Sequence, residues 1–321
     1  MIVFNVFSNR KRIGEIPEVD VLIWTASLLR YRSFGYRTKL YCTRKDIPFL
    51  DKWGLRRLYD VIDDDTLSAI GPLGIDESKF WSTGKLTAVN YQKHDVWEQA
   101  VYSDVDVLMR KPFDLSHDCL VWSPEGKDDD DGGIYVPWDA LSVPDGYAMP
   151  EHIRATDDAY NCGVLWFGGD KGRQAVGDWF RDYEDFATLN PCEIVGGEDV
   201  ADLRTNDAVW ACNAEQRFLK ATLDREGLDV GFVMPEKGNG LSADGDHYYY
   251  YRVVWRFFKE SGLAMNSDAL RVLNATVKEC LETIRDAEPG LYEFWQTVPW
   301  ARNFLDVVDL GQGLFPISSY V

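Results

Sequence analysis

The chain alternates short apolar runs with stretches of helical spacing. "MIVFNVF" at residues 1–7 ends in Ser8-Asn9 and predicts a buried strand followed by a loop. From Pro17, the residues Val19, Leu22, Ile23, Ala26 and Leu29 recur at helical spacing, with Gly35 as the stop. "TKLYCT" (38–43) and "LYDVIDD" (58–64) predict a second and a third strand. Strand, helix and strand at such short intervals make a parallel sheet built from β-α-β units. Ser82-Thr83 caps a predicted helix through Lys85, Leu86 and Val89. "AVYSDVDVLM" (100–109) predicts the next strand, broken by Lys111-Pro112. "CLVWSPEG" (119–126), "YNCGVLWFGG" (160–169) and "LDVGFVMP" (228–235) add further strands. "NAEQRFLKATLDREG" (213–227) reads as a helix with Phe218, Leu219 and Leu223 on one side.

Residues 126–158 mix charge runs, Gly and Pro, as a lid or binding loop does. The run Asp128–Asp131 reads as a solvated loop rather than a metal site, because adjacent like charges repel. "GNGLSADGDH" (238–247) is expected to be loop, and the chain is expected to turn helical after Tyr248–Tyr251. There Leu270, Leu273, Val277, Leu281 and Ile284 form one amphipathic face, closed by Pro289-Gly290. With no internal repeat and no long linker, residues 1–255 are expected to form one α/β domain. Residues 256–321 are expected to be a helical extension packed on it.

Composition narrows the classes. The 321 residues suffice for a large buried core, and 12 Trp, 16 Tyr and 16 Phe exclude disorder. Acidic residues outnumber basic ones 53 to 34, a formal charge of −19, which argues against nucleic acid and anionic membrane surfaces. A phosphorylated substrate stays open, since a metal ion can bridge carboxylates to phosphates. Cysteines 42, 119, 162, 192, 212 and 280 are scattered without a C-x-x-C pair, so buried free thiols are expected. "MIVFNVFSNRKR" is not patterned as a signal peptide, and no apolar window is long enough to span a membrane. The expectation is a reduced, soluble, cytoplasmic protein.

The candidate chemistry begins with Asp104 and Asp106 in "VYSDVDVLMRKPFD". On a strand they share a face; if the strand ends there, both reach its mouth, where open α/β sheets bind ligands. Two such carboxylates suit Mg²⁺ or Mn²⁺ with a diphosphate, or else mark a solvent-exposed strand end. His94, His117 and His152 lack a second ligand at metal spacing and are expected to be structural or at the surface. No serine-hydrolase elbow, phosphate-binding Walker loop or H-E-x-x-H motif occurs.

Taken in order, "FWSTGKLTAVNYQ", "VYSDVDVLMRKPFD", "YNCGVLWFGG", "AEQRFL" and His247 resemble a glycosyltransferase of the GT-A fold. The resemblance is to the bacterial groups that carry a DxD sugar-binding region. It spans roughly residues 1–255 and implies a GT-A-like mixed, mainly parallel sheet flanked by helices. It also implies transfer of a sugar, hexosyltransferase-like, from a nucleoside diphosphate sugar, UDP-sugar favoured, to a saccharide or other acceptor hydroxyl. Asp104, Asp106 and His247 would hold Mn²⁺ or Mg²⁺, with Asp104 also facing the donor diphosphate. Lys85 would meet the donor, or be a surface helix lysine. Asn161 would bond the donor sugar, or form a turn, while Gly163 allows close backbone approach. Glu215 and Gln216 would face the reacting carbon, or be a polar pair opening a helix. Ser8 and Asn9 would contact the nucleotide.

The chain departs from the family after His247, where "YYYYRVVW" replaces the usual Gly and Lys. Arg252 could take over the diphosphate contact. Retaining and inverting mechanisms both stay open, with Glu215 or Asp207 as base in the inverting case. Tyr135, Trp138 and Tyr147 could stack on an acceptor sugar or pack in the core. The alternatives are a nucleotidyl- or phosphotransferase on a similar fold, or a non-catalytic nucleotide-sugar-binding protein.

Overall fold

The computed structural model describes residues 1–7, 16, 18–77, 79–92, 100–125, 135, 137–138, 146–189, 208–235, 245–247, 267–299 and 301. For 208, 245–247 and 267–275 it describes the backbone alone. Among the described residues the strands are β1 (Ile2–Val6), β2 (Arg37–Tyr41), β3 (Val61–Asp63), β4 (Ala100–Ser103), β5 (Val107–Met109), β6 (Cys119–Glu125), β7 (Ala159–Phe167), β8 (Val230–Phe232) and β9 (Gly245–His247). Seven form one sheet in the order β3-β2-β1-β4-β7-β6-β8, and β5 pairs with β9 in a separate ribbon. β3, β2, β1 and β4 run parallel, β7 runs against its neighbours β4 and β6, and β8 is parallel to β6. The expected mixed, mainly parallel sheet is the architecture found.

Side chains alternate across this sheet as the two-residue period requires. Phe4, Tyr102, Val121, Leu165 and Phe167 face one core, while Val3, Val101, Trp122, Val164 and Trp166 face another. The first core is covered by α3 (Thr83–Gln92), α5 (Gly169–Ala187) and a continuous helix 208–226. That helix comprises α6 (Ala208–Cys212), a π-helical segment (Asn213–Arg217) and α7 (Phe218–Glu226). A short α4 (Glu151–Arg154) leads into β7. On the opposite side lies α1 (Glu18–Ser33), buried along almost its whole length. α2 (Ile47–Lys52), α8 (Ser267–Ala287) and α9 (Pro289–Thr297) pack beside it. A helix covered both by a sheet and by another helix is apolar around its circumference rather than along one stripe.

Four expectations change here. The strand expected over 100–109 is two strands in different sheets, because Asp104–Asp106 forms a turn closed by Val107 N–H on Asp104 O at 3.3 Å. Residues 245–247, expected as loop, form β9. Pro289 does not only follow α8 but opens α9 from its first turn, where a missing N–H costs nothing. Within 126–158 the described part includes the short helix α4, and β7 begins at Ala159, one residue before the expected strand. None of the helices among the described residues is long and apolar enough to cross a membrane.

Candidate active site

The site lies at the carboxyl edge of the parallel strands. β4 ends at Ser103 and β6, which runs the same way, at Glu125, while the antiparallel β7 begins between them with Asn161 and Gly163. Asp104 N–H donates to Gly163 O at 2.7 Å, which joins the turn after β4 to β7. Behind this turn, Asn5 Nδ2 donates to Ser103 O at 2.7 Å, and Asn5 Oδ1 accepts from Tyr59 at 2.8 Å. α1 holds it from the other face. Ser27 Oγ donates to Val107 O at 2.6 Å, and the Tyr31 hydroxyl meets Ser103 Oγ at 2.6 Å.

Lys85 is the centre of the charge arrangement. It sits in the first turns of α3, whose Thr83 shares a 2.8 Å hydrogen bond with Tyr183 of α5. Its ammonium is 2.8 Å from Glu215 Oε1 and 3.2 Å from Asp104 Oδ1, and donates to Cys162 O at 3.2 Å. It also lies 5.0 Å from the centre of the Tyr102 ring, and Tyr102 donates its hydroxyl hydrogen to Asp104. Burial alone would lower the Lys85 pKa, but Asp104 and Glu215 outweigh it and hold it well above the ordinary lysine value. Lys85 is therefore a buried cation between two carboxylates, not a surface lysine.

Glu215 has 0 % of its surface exposed, and burial raises its pKa, against which Lys85 favours the charged form. It sits on the π-helical segment, and Trp179 Nε1 anchors its backbone carbonyl at 2.9 Å. The wider turn of a π-helix re-aims side chains and recurs at functional sites. Gln216, the next residue, meets the hydroxyl of Tyr135, which also bonds Glu125. Glu125 in turn accepts from Asn161 Nδ2, and Asn161 Oδ1 accepts the Gly163 N–H at 2.8 Å. Burial raises the Tyr135 pKa well above the usual range, with Glu125 adding to it.

Of the residues singled out in the sequence, Lys85, Asp104, Asn161, Gly163, Glu215 and Gln216 thus lie in one connected polar network. Asp106 is buried in the turn two residues beyond Asp104. His247 falls opposite Val107 in the β5–β9 ribbon, so its backbone lies in register with the residue after Asp106. Among the described residues, no three His, Cys, Asp or Glu side chains gather as a metal-binding set. Ser8, Asn9, His94, Asp128–Asp131, Cys192, Asp207, Tyr248–Tyr251 and Arg252 lie outside the described residues.

Trp138 and Tyr147 of the insertion are core. Trp138 donates to Ile153 O at 3.0 Å and carries the Arg217 guanidinium 3.9 Å above its ring, and Tyr147 packs on Phe186. His117 pairs with Asp229 at 2.8 Å and His152 with Asp182 at 3.2 Å, the structural roles expected of them. Cysteines 42, 119, 162, 212 and 280 are free and buried.

Two members of the network escape the sequence patterns, Tyr102 and Glu125, and a third, Tyr135, is read there as an aromatic surface or a core ring rather than as a hydrogen-bonding group. Tyr102 stands two residues before Asp104 and so on its face of the strand, which is the one signal that could have found it.

No family model matches the chain, and no curated protein matches it. Among solved structures, a chain described as "PaToxG Glycosyltransferase" is similar at 10 % identity with a TM-score of 0.36. The likeness covers 87 % of this chain and 85 % of that one. A likeness of that size leaves the activity to be judged from the site itself.

Proposed function

We propose that the chain is a glycosyltransferase that moves a sugar from a nucleoside diphosphate donor, UDP-sugar favoured, to an acceptor hydroxyl. The carrying observation is the convergence of Lys85, Asp104, Asn161, Gly163, Glu215 and Gln216 at one carboxyl edge of the sheet. Open α/β sheets bind ligands at that edge. Their order along the edge supports the assignment. Ser8 follows β1, Asp104 and Asp106 follow β4, and Asn161 opens β7, so nucleotide, diphosphate and sugar would lie across neighbouring strands β1, β4 and β7.

Asp104 and Asp106, with His247 from the adjoining ribbon, are the residues that would hold Mn²⁺ or Mg²⁺. Two carboxylates suit either ion, and an imidazole on a neighbouring backbone position suits Mn²⁺ better than Mg²⁺. A cation there would offset charge growing on the departing diphosphate. The chain's own contribution is Lys85, whose fixed positive charge lies beside Asp104 before any substrate arrives and needs no reorganisation. Glu215, sealed behind Lys85, keeps that ammonium in place. Gln216 and Asn161 would bond the sugar hydroxyls.

The test is nucleotide release from UDP-glucose, UDP-galactose and GDP-mannose, with Mn²⁺ and with EDTA, alongside thermal stabilisation by UDP and GDP. Mn²⁺-dependent stabilisation by one nucleotide, release from the matching donor, and loss of both in Asp104→Ala are expected. No stabilisation by any nucleotide, with Asp104→Ala indistinguishable from wild type, would overturn the reading.

A further inference from the structure

The two amides assigned to the sugar, Asn161 on β7 and Gln216 on the π-helical segment, are joined by two residues, Glu125 and Tyr135, to which no part in donor binding attaches so far. Asn161 has both ends of its amide engaged. Its Oδ1 takes the Gly163 N–H at 2.8 Å and its Nδ2 donates to Glu125, so exchanging oxygen and nitrogen would break both bonds. Glu125 also accepts from the Tyr135 hydroxyl, whose oxygen lies against the side-chain amide of Gln216. The bridge therefore ties the end of β6, the segment before α4, the start of β7 and the helix 208–226. Tyr135 is almost fully buried, where its hydroxyl is costly without partners and where partners fix its rotamer.

The Tyr135 hydroxyl has one hydrogen; with the Glu125 carboxylate taking it, the tyrosine oxygen accepts from the Gln216 amide, so Asn161 keeps an N–H and Gln216 its oxygen for a ligand. We propose that Glu125 and Tyr135 are positioning residues that hold the amides of Asn161 and Gln216 in fixed orientations toward the hydroxyls of the donor sugar. This rests on the donor-site reading above and adds the residues that orient it. The bridge stands on the β7 and β6 side of β4, whereas β1, whose end would meet the nucleotide, stands on the other. Its loss is thus felt by the sugar and not by the nucleotide.

Calorimetric titration of wild type, Tyr135→Phe and Glu125→Ala with UDP, GDP, UDP-glucose, UDP-galactose and GDP-mannose tests this, with melting curves confirming that each variant is folded. Tyr135→Phe is expected to weaken the nucleotide-sugar about tenfold, the scale of one buried hydrogen bond, while the bare nucleotide stays within about twofold. Glu125→Ala is expected to move the same ratio in the same direction. A folded Tyr135→Phe or Glu125→Ala that keeps the wild-type ratio, or that weakens both ligands in parallel, overturns this proposal alone. A wild type that binds no nucleotide and no nucleotide-sugar overturns the donor-site reading and this proposal with it.

Discussion

Lys85 is the residue on which the charge balance of the network turns. Its two partners differ in setting, Glu215 being fully buried and Asp104 partly exposed, so removing the ammonium strands mainly Glu215. Breaking one side of a buried pair typically costs about 3–5 kcal/mol. Lys85→Met should therefore lower unfolding free energy on that scale, and adding Glu215→Gln should recover much of it. The pH dependence has a definite sign. Burial raises the Glu215 pKa, so its contribution is fully present below the unfolded carboxylate value of about 4.3 and is lost as pH rises through the raised folded value. Lys85 limits that loss. Urea unfolding of Lys85→Met should thus fall further below wild type at pH 8 than at pH 5; an equal gap at both would sink the account. At this scale the sequence displays the acidic pair, Lys85, Asn161 and the Glu-Gln pair, because charged and amide side chains stand out against apolar runs. The hydrogen-bonding parts of Tyr102 and Tyr135 are not displayed, because a tyrosine in a strand or a loop reads as a packing or stacking ring until its hydroxyl's partner is known.

The element that decides the site is the turn after β4. Its bend is not visible in "VYSDVDVLM", whose apolar residues continue through it, since the bonds that make it come from elsewhere in the chain: Asn5 from β1, Gly163 from β7, Ser27 and Tyr31 from α1. Tyr31→Phe removes the hydroxyl that meets both Ser103 and Val107. A loss of about 1 kcal/mol follows for each buried bond broken. Amide hydrogen exchange should quicken at Val107, whose N–H closes the turn, while the β2 amides stay protected. Unchanged exchange at Val107 would show that the turn needs no help from α1. The elements built on local pattern, β1, α1, β2, α3 and α7, lie where periodicity puts them. α5 hides for a local reason. Its apolar positions Ala175, Val176, Trp179, Tyr183 and Phe186 are helically spaced, but "GGDKG" at its start resembles a loop. Those glycines serve packing and the entry turn instead: Gly169 has φ +61°, and a Cβ on Gly172 would come within 3.0 Å of Phe167.

Across the whole molecule, the C-terminal helices are part of the core that holds the site from behind. α8 brings Val277, Leu281 and Ile284 against the face of α1 that the sheet leaves uncovered, and α9 adds Leu291 and Trp295 to the same core beside Trp53. Glu279 of α8 bonds Arg110 at 2.9 Å, just beyond β5, and lies 3.8 Å from Arg30 of α1. The amphipathic face at 270–284 is legible in the sequence, but its partner is not, because α1 shows no single apolar stripe to match it. Trp295 is fully buried and stacked on Trp53 at 5.5 Å between ring centres, which ties α9 to the end of α2. Trp295→Ala should cost about 3–5 kcal/mol, the range for an aromatic removed from a packed core. The further consequence is cooperative: α1 bridges this core and the turn that carries Asp104, so loosening α9 should not leave a stable sheet behind. Near-ultraviolet and far-ultraviolet circular dichroism of Trp295→Ala should melt together at a lower temperature. Separate transitions, with the sheet surviving the loss of aromatic packing, would mean that the C-terminal helices form an independent layer and that α1 is held by the sheet alone.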